Sequence, residues 1–193
     1  MNEVDAVKSE NQREQIETLL AEKGEIYADV WKFGINTALR ISDLLSLTMA
    51  QVKVIDLHPD KRQIEIIEQK TGKARLITLN DGAMDIAQKR LAANPKHVWL
   101  FQSDSPKNHP KKPQPITRRS VARVFASVGQ RTNPTVQLST HSMRKTRGYA
   151  MHSAGASIEE VCNLLNHSHT GITMRYIGLD AERVRQSYHD LVL

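Results

Sequence analysis

The sequence predicts a mainly α-helical fold that carries one small three-stranded antiparallel sheet, in the α+β class. Apolar residues recur every three or four positions near both ends of the chain, as they do along one face of a helix. Between Gln51 and Leu79 the apolar period falls to about two, which is typical of strands. The 193 residues can bury a real core but are too few for two large lobes. We therefore expect residues 1–193 to form a single domain.

Three helices are predicted before the sheet. Two amphipathic helices lie around residues 16–20 and 26–37, and Gly24 separates them. Ser42, with Asp43 beside it, opens a third, short helix that is rich in leucine.

The predicted sheet is a meander of three strands. The strand-like runs are VKVIDL (52–57), RQIEII (62–67) and ARLITL (74–79). The residue runs 58–60 (His-Pro-Asp) and 71–72 (Thr-Gly) supply the two turns.

Helical patterns return after the sheet. A helix is predicted over 81–93, and the following stretch, 94–115, holds five of the seven prolines and is predicted to be a loop. Thr117 caps a basic helix that runs to about Gly129, and Thr140 is placed to cap a longer helix that begins HSMRKTRGYAMH.

The last predicted helices are short. Ser157 and Glu160 form a capping box for the helix SIEEVCNLL, and Asn166 ends it because asparagine tolerates the left-handed conformation. A short helix around 170–176 and a final one from about Asp180 complete the chain.

The charge is distributed unevenly. The net charge is +6, but residues 1–29 hold eight acids against three bases, which leaves −5 there and +11 in the rest. Residues 105–158 contain ten Lys and Arg and no acid. Such a region usually has a polyanion to neutralise, and a nucleic-acid backbone is the commonest one. A solvated basic face is the alternative.

Several classes are excluded by composition. The mean hydropathy is −0.47 and no run of about 18 apolar residues occurs, so we expect no transmembrane helix and no membrane partner. The polar start MNEVDAVKSENQREQ does not resemble a secretory signal. Cys162 is the only cysteine, which forbids an internal disulfide framework and a multi-cysteine metal cluster. A cytoplasmic or nucleoid-associated protein is expected.

Six side chains are candidates for phosphate chemistry. An arginine in an apolar setting, such as Arg40, needs an anion, which is either a ligand or an acid nearby such as Asp43. A lone tyrosine is usually a core residue, and a nucleophilic one needs neighbouring cations because its pKa is near 10. The predicted hairpin turn offers two lysines, Lys70 and Lys73, and Lys70 is the one included among the candidates. The six candidates are Arg40, Lys70, His141, Arg144, His167 and Tyr176.

These six residues resemble the signature of the tyrosine recombinases, also called phage integrases. The matching motifs, in order, are TALR with Arg40, QKTGK with Lys70, HSMR with His141 and Arg144, LLNH with His167, and RY with Tyr176. Each motif is weak alone, but the ordered set is specific, and the resemblance covers about residues 13–180. It implies a tyrosine recombinase catalytic-domain fold.

Some positions depart from the family pattern. Asn166 stands where glycine is commonest, Lys145 where a second histidine often follows the arginine, and Ala38 replaces a frequent glycine. The resemblance leaves no room for the N-terminal core-binding domain of many members. Either the chain is a truncated catalytic domain, or it is similar to short members such as the fimbrial phase-variation invertases.

The resemblance implies a mechanism. Tyr176 would attack the scissile phosphate and form a 3′-phosphotyrosine link, as in DNA integration and recombination. Arg40, Arg144 and His167 would stabilise the phosphate, His141 would assist the proton at the nucleophile, and Lys70 would protonate the leaving 5′-oxygen. No metal and no cofactor are implied.

The expected partner is double-stranded DNA. The resemblance implies a homotetramer on DNA and a monomer or weak oligomer when free, with residues 178–193 docked either on their own domain or on a neighbouring subunit. The predicted DNA-binding residues are Lys73, Lys111, Lys112, Arg118, Arg119, Arg123, Lys145 and Arg147.

Three other functions are alternatives. A DNA-binding regulator of the same fold would lose the chemistry, and a type IB topoisomerase would share it but act as a monomer. A metal-dependent nuclease using His141, His152, His167 and His169 is disfavoured, because no acid falls between Ser105 and Ile158.

Overall fold

The computed structural model describes residues 4–57, 62–104 and 113–179. Within these ranges the chain forms nine helices and one two-stranded sheet. The helices are α1 Glu10–Ala21, α2 Glu25–Thr37, α3 Ile41–Leu45, α4 Met49–Leu57, α5 Asp81–Ala93, α6 Arg118–Gly129, α7 Ser142–Ser153, α8 Ile158–Leu165 and α9 Thr170–Ile177. The strands are β1 Gln63–Ile67 and β2 Ala74–Thr78. None of the helices in the described ranges has the length and apolar character needed to cross a bilayer.

Most predicted helices are confirmed, together with their caps. Gly24 separates α1 from α2 with φ of 138°, which an L side chain rarely adopts. The Thr117 hydroxyl accepts a hydrogen bond from the Ser120 amide at 3.1 Å and begins α6. Ser157 begins α8 through a complete capping box, and Asn166 ends it with φ of 49°.

The first predicted strand, 52–57, is wrong, because this segment belongs to α4 and the sheet has two strands. A capping box starts the helix. The Thr48 amide donates to Gln51 Oε1 at 2.9 Å, and the Gln51 amide donates to Thr48 Oγ1 at 3.3 Å. Val52 and Ile55 are buried one helical turn apart, while the two residues between them are exposed. The alternation VKVI therefore follows a helical face.

The two remaining strands pair antiparallel, with Ile64 opposite Ile77. Ile64, Ile66 and Ile77 face the core and are at most 5% exposed. A tight turn over residues 68–73 joins the strands and carries Lys70 beyond the core.

Thr140 does not cap α7, so this prediction is wrong. His141 already has near-helical angles, φ −80° and ψ −22°, and occupies the cap position without a side-chain cap. The turn is closed instead by the Ser139 amide, which donates to the Ser142 hydroxyl at 3.1 Å. Thr140 is buried. The final helix predicted from Asp180 falls outside the described residues.

Two hydrophobic clusters organise the domain. The larger contains the aromatic pairs Trp31–Phe125 and Phe33–Phe101, and it joins α2, α6 and the loop after α5. The smaller joins the end of α2 to α8 and α9, and its buried members are Ala38, Val161, Leu165 and Ile177. The second cluster positions α9, and hence Tyr176, beside α7.

Candidate active site

Four of the six candidate side chains line one cleft of about 390 Å³. Arg40 enters it from the start of α3 and Lys70 from the β1–β2 turn. His141 and Arg144 enter from the first turn of α7. Arg118, the first residue of α6, lines the same cleft. Segments far apart in sequence thus bring five basic side chains together.

Arg144 is the most buried of these side chains, at 2% exposure. Its Nη2 donates to the Leu165 carbonyl at 2.6 Å, and its Nη1 donates to the Ala38 carbonyl. These acceptors lie at the C-terminal ends of α8 and α2, where helices leave carbonyls without intrahelical partners. Burial lowers the pKa of Arg144, against the opposing effect of nearby Tyr176. The guanidinium is therefore held in one orientation.

Arg40 pairs with an acid, but that acid is Glu68 rather than the suggested Asp43. Arg40 Nη1 lies 2.9 Å from Glu68 Oε1. Asp43 instead accepts the backbone amide of Gln69 at 2.9 Å. Within the described ranges, no acceptor meets hydrogen-bond geometry with the buried Arg40 Nη1. Glu68 thus holds Arg40 by charge, and 17% of the Arg40 side chain remains exposed at the cleft.

Glu68 is a site residue that the sequence interpretation missed. Its side chain is 1% exposed. Burial alone would raise its pKa, but hydrogen bonds from Thr71, Asn166 and Arg75 and the charge of Arg40 outweigh burial and lower that pKa. The period-two pattern could have identified it, because Ile64, Ile66 and Glu68 are alternate residues and therefore point to the same, inward face of the strand.

The hydroxyl of Tyr176 lies beside His141. It is 3.4 Å from both His141 Nδ1 and the His141 backbone oxygen. Burial raises the pKa of Tyr176, although the charges of Arg144 and Arg40 oppose this shift. Burial and the surrounding cations, Arg118 first among them, lower the pKa of His141. A neutral imidazole therefore faces a protonated phenol near pH 7 and is able to accept its proton.

His167 also contacts the tyrosine ring. Its ring meets that of Tyr176 edge to face, with centroids 5.0 Å apart, and its Nδ1 lies 3.0 Å from Thr173 Oγ1. Burial and the charges of Arg144, Arg40 and Lys70 lower the pKa of His167 to about 4. The Thr173 contact uses Nδ1, and Nε2 can donate to a substrate in the tautomer in which Nδ1 accepts from the threonine hydroxyl.

The other predicted DNA-binding residues differ in accessibility. Lys145 is partly buried, and its Nζ donates to the Val4 carbonyl at 2.7 Å while lying 5.4 Å from the centroid of the Tyr176 ring. Arg147 is also partly buried, and its Nε has no hydrogen-bond partner among the residues described. Lys111 and Lys112 lie outside the described residues. The exposed members are Lys73, Arg118, Arg119 and Arg123.

The histidines considered for a metal nuclease are spread over this region. His152 Nδ1 lies 3.1 Å from the Ala156 carbonyl, about two turns beyond the cleft residues on α7. In the described part of the chain, no three His, Cys, Asp or Glu side chains are grouped so as to hold a metal ion.

Sequence comparison points to one family. The profile of the phage integrase family matches residues 9–183. The probable integrase/recombinase YoeC of Bacillus subtilis is 29% identical over 188 residues, which cover 97% of each chain. The tyrosine recombinase XerC of Staphylococcus saprophyticus is 27% identical over 158 residues. That match covers 79% of this chain and 49% of XerC, so the chain spans about half the length of this relative.

Structural comparison points to the same fold. The crystal structure of XerA recombinase superposes with a TM-score of 0.71 at 15% identity, covering 98% of this chain and 65% of XerA. The structure of a lambda integrase(75–356) dimer bound to a COC′ core site superposes with a TM-score of 0.68 at 13% identity. That match covers 92% of this chain and 60% of the integrase chain.

Proposed function

The chain belongs to the phage integrase family, and from this premise we propose that it is a site-specific recombinase that cleaves and rejoins double-stranded DNA through a 3′-phosphotyrosine intermediate. The observation that carries the proposal is the position of the Tyr176 hydroxyl. It lies against the neutral His141 ring, at the border of a cleft lined by Arg40, Lys70 and Arg144.

Attack begins with removal of the phenol proton. The pKa of Tyr176 lies above its ordinary value, so the phenolate is scarce near pH 7. His141 Nδ1, 3.4 Å away, accepts the proton as Tyr176 bonds to phosphorus. A distance of this size is ordinary for a free enzyme, in which such hydrogen bonds tighten once substrate is bound.

The cleft stabilises the charge that builds on the phosphate. Arg40 and Arg144 donate to the two non-bridging oxygens, since a guanidinium keeps its charge and its donors match phosphate geometry. Arg144 is already oriented by two carbonyls, so little reorganisation accompanies catalysis. His167, whose ring contacts that of Tyr176, adds a further donor.

Departure of the 5′-oxygen needs a proton. Lys70 lies in the exposed turn between β1 and β2 and reaches the cleft beside Gln69. It acts as the general acid. The phosphotyrosine link keeps the energy of the broken bond, so the free 5′-hydroxyl of a partner strand can attack it without a nucleotide cofactor.

The exposed cations extend the contact to flanking phosphates. Arg118, Arg119 and Arg123 follow one another on α6 next to the cleft, and Lys73 lies in the hairpin turn. DNA affinity should fall with salt, with a log-log slope of about −0.9 for each phosphate contacted. Strand exchange requires assembly, and we propose a homotetramer on DNA located in the nucleoid.

A covalent adduct tests the function. The substrates are nicked duplexes from a randomised-sequence pool. After cleavage, the short fragment with the free 5′-hydroxyl diffuses away and cannot reverse the reaction, so the protein should stay attached to DNA in a form that survives denaturant. Tyr176→Phe should abolish the adduct, whereas the control Tyr149→Phe, on α7, should retain it. DNA binding without any adduct in the wild type would indicate a silent regulator, and an adduct in Tyr176→Phe would exclude this tyrosine as nucleophile.

A further inference from the structure

Glu68 is a buried carboxylate that the proposed chemistry does not use. It directly follows β1 and opens the turn that carries Lys70. Its side chain is 1% exposed. A buried carboxylate is unfavourable unless charges and hydrogen bonds satisfy it. Its partners therefore indicate what it holds in place.

Both oxygens of Glu68 are fully engaged. Oε1 lies 2.9 Å from Arg40 Nη1 and accepts from Arg75 Nη1 at 3.3 Å. Oε2 accepts from the Thr71 hydroxyl at 2.9 Å and from Asn166 Nδ2 at 2.7 Å. These four partners lie at the start of α3, on β2, in the hairpin turn and at the end of α8.

The backbone of Glu68 closes the same turn. Its carbonyl accepts from the Gly72 amide at 2.8 Å and from the Thr71 amide at 3.3 Å, and its amide donates to the Lys73 carbonyl at 3.0 Å. Lys70 lies between these bonds. The hairpin is also tied to α8 by Arg75 Nη2, which donates to the Leu164 carbonyl.

Asn166 supplies a contact that a glycine would not. Its φ of 49° is one that glycine adopts freely. The Asn166 amide, however, reaches Glu68 from the residue that directly precedes His167. One carboxylate thus links the segments that carry Arg40, Lys70 and His167.

We propose that Glu68 is a positioning residue for strand cleavage, because it clamps the Lys70 turn to Arg40 and to Asn166. The proton donor and the phosphate-binding arginine are thereby held against the same phosphate. The kinetic consequence rests on the proposed function, whereas the clamp is a property of the fold and is measured separately.

Amide hydrogen exchange tests the clamp without any substrate. Glu68→Gln keeps the shape and removes the charge, and Glu65→Gln makes the same change on the exposed face of β1 as a control. Exchange in residues 69–73 and 164–167 should quicken together in Glu68→Gln, by roughly tenfold, the effect of losing a hydrogen bond to a charged group. It should match the wild type in Glu65→Gln. Unchanged exchange, or a change in only one segment, would overturn the clamp.

Asn166→Gly severs the clamp from its other end and keeps a residue suited to the left-handed conformation. It should produce the same paired increase in exchange even if Glu68→Gln does not fold. In the double variant Glu68→Gln/Asn166→Gly, the exchange rate should exceed that of Glu68→Gln by less than about twofold, because contacts in one network are not additive. Independent, multiplying effects would show that the two residues act separately.

Single-turnover cleavage tests the role through Lys70. A thiol, with a pKa near 8.5, leaves without a proton donor, so a nicked substrate with a 5′-bridging sulfur bypasses the general acid. Glu68→Gln should be about 100-fold slower than wild type on the ordinary substrate, the effect of a displacement near 1 Å. On the sulfur substrate, the ratio of the wild-type rate to the Glu68→Gln rate should be smaller by at least about tenfold, because the contribution of the general acid no longer matters there. Equal losses on both substrates would overturn the role through Lys70. If the wild type forms no adduct, the proposed function fails, and hydrogen exchange still decides the clamp.

Discussion

Gly148 lies inside α7 where α8 and α9 pack against it, and a methyl group there would collide with α9. An added Cβ would lie 2.8 Å from Ile177 Cγ2, 3.2 Å from Leu165 Cδ1 and 3.3 Å from Val161 Cγ1. Ordinary carbon contacts begin near 3.5 Å, so Ile177 must retreat by about 0.7 Å. Ile177 is 1% exposed and adjoins Tyr176. The displacement is therefore passed to the nucleophile.

The expected effect of Gly148→Ala on stability is small, while its effect on the cleavage rate is large. Alanine gains about 1 kcal/mol of helix propensity over glycine, and overpacking costs about 1–3 kcal/mol. The net loss in the free energy of unfolding is thus about 0–2 kcal/mol, which lowers Tm by at most about 8 °C in a domain of this size. A displacement approaching 1 Å lowers the rate by up to about 100-fold.

The assay pairs thermal unfolding with single-turnover adduct formation at a temperature where every variant is folded. Gly171→Ala is the control, because it adds a methyl to α9 itself but meets only the His169 ring, at 3.5 Å. It should retain the wild-type rate and have a Tm equal to or above that of the wild type, because no overpacking offsets the gain in helix propensity. If Gly148→Ala cleaves at the wild-type rate, α9 absorbs the methyl without moving Tyr176 and the reasoning is wrong.

Three further substitutions test charge, protonation and capping. Asp29→Ala removes the ion-pair partner of Arg90, whose Nη1 lies 3.0 Å from Asp29 Oδ2 and whose side chain is 7% exposed. The free energy of unfolding, measured with denaturant, should fall by about 3–5 kcal/mol. A fall below about 1 kcal/mol would contradict a buried ion pair. The pKa of His167 is lowered from 6.5 to about 4 in the folded state, so between these pH values the unfolded chain binds a proton at His167 that the folded chain does not bind. Wild-type stability should therefore fall as the pH drops through that window, and His167→Gln should fall less; parallel curves from urea titrations would refute this. Ser157→Ala should lose about 0.5–2 kcal/mol, measured by thermal unfolding, by removing the capping box of α8.

Local signals in the sequence predicted most helices and their ends. Thr117, Ser157 and Asn166 act through backbone groups within four residues, so their identity and spacing are enough. The same reasoning failed at 52–57, where alternation suggested a strand. The Thr48–Gln51 capping box was present in the sequence and outweighs that alternation.

Contacts between distant segments could not be predicted from local patterns. Local patterns suggest a nearby acid such as Asp43, three residues away, as a partner of Arg40, but tertiary folding brings Glu68 there. Likewise, the sequence accounts for Asn166 only as a residue that tolerates a left-handed turn, and the bond of its side-chain amide to Glu68 depends on how the hairpin packs on α8. The ordered family motif gave the six candidate side chains but not the groups that orient them.

Arg40 and Arg144, two of the three arginines that line the cleft, have different partners, and this affects how each can be tested. Arg40 is paired with the Glu68 carboxylate, which it shares with Arg75. Arg144 is surrounded by the carbonyls of Ala38 and Leu165, at the negative ends of two helix dipoles, and it keeps its formal charge for a phosphate. Removing Arg144 would also leave two buried carbonyls without donors, which destabilises the domain. Loss of cleavage in Arg144→Ala therefore combines folding with chemistry, whereas Tyr176→Phe removes one hydroxyl and separates the two.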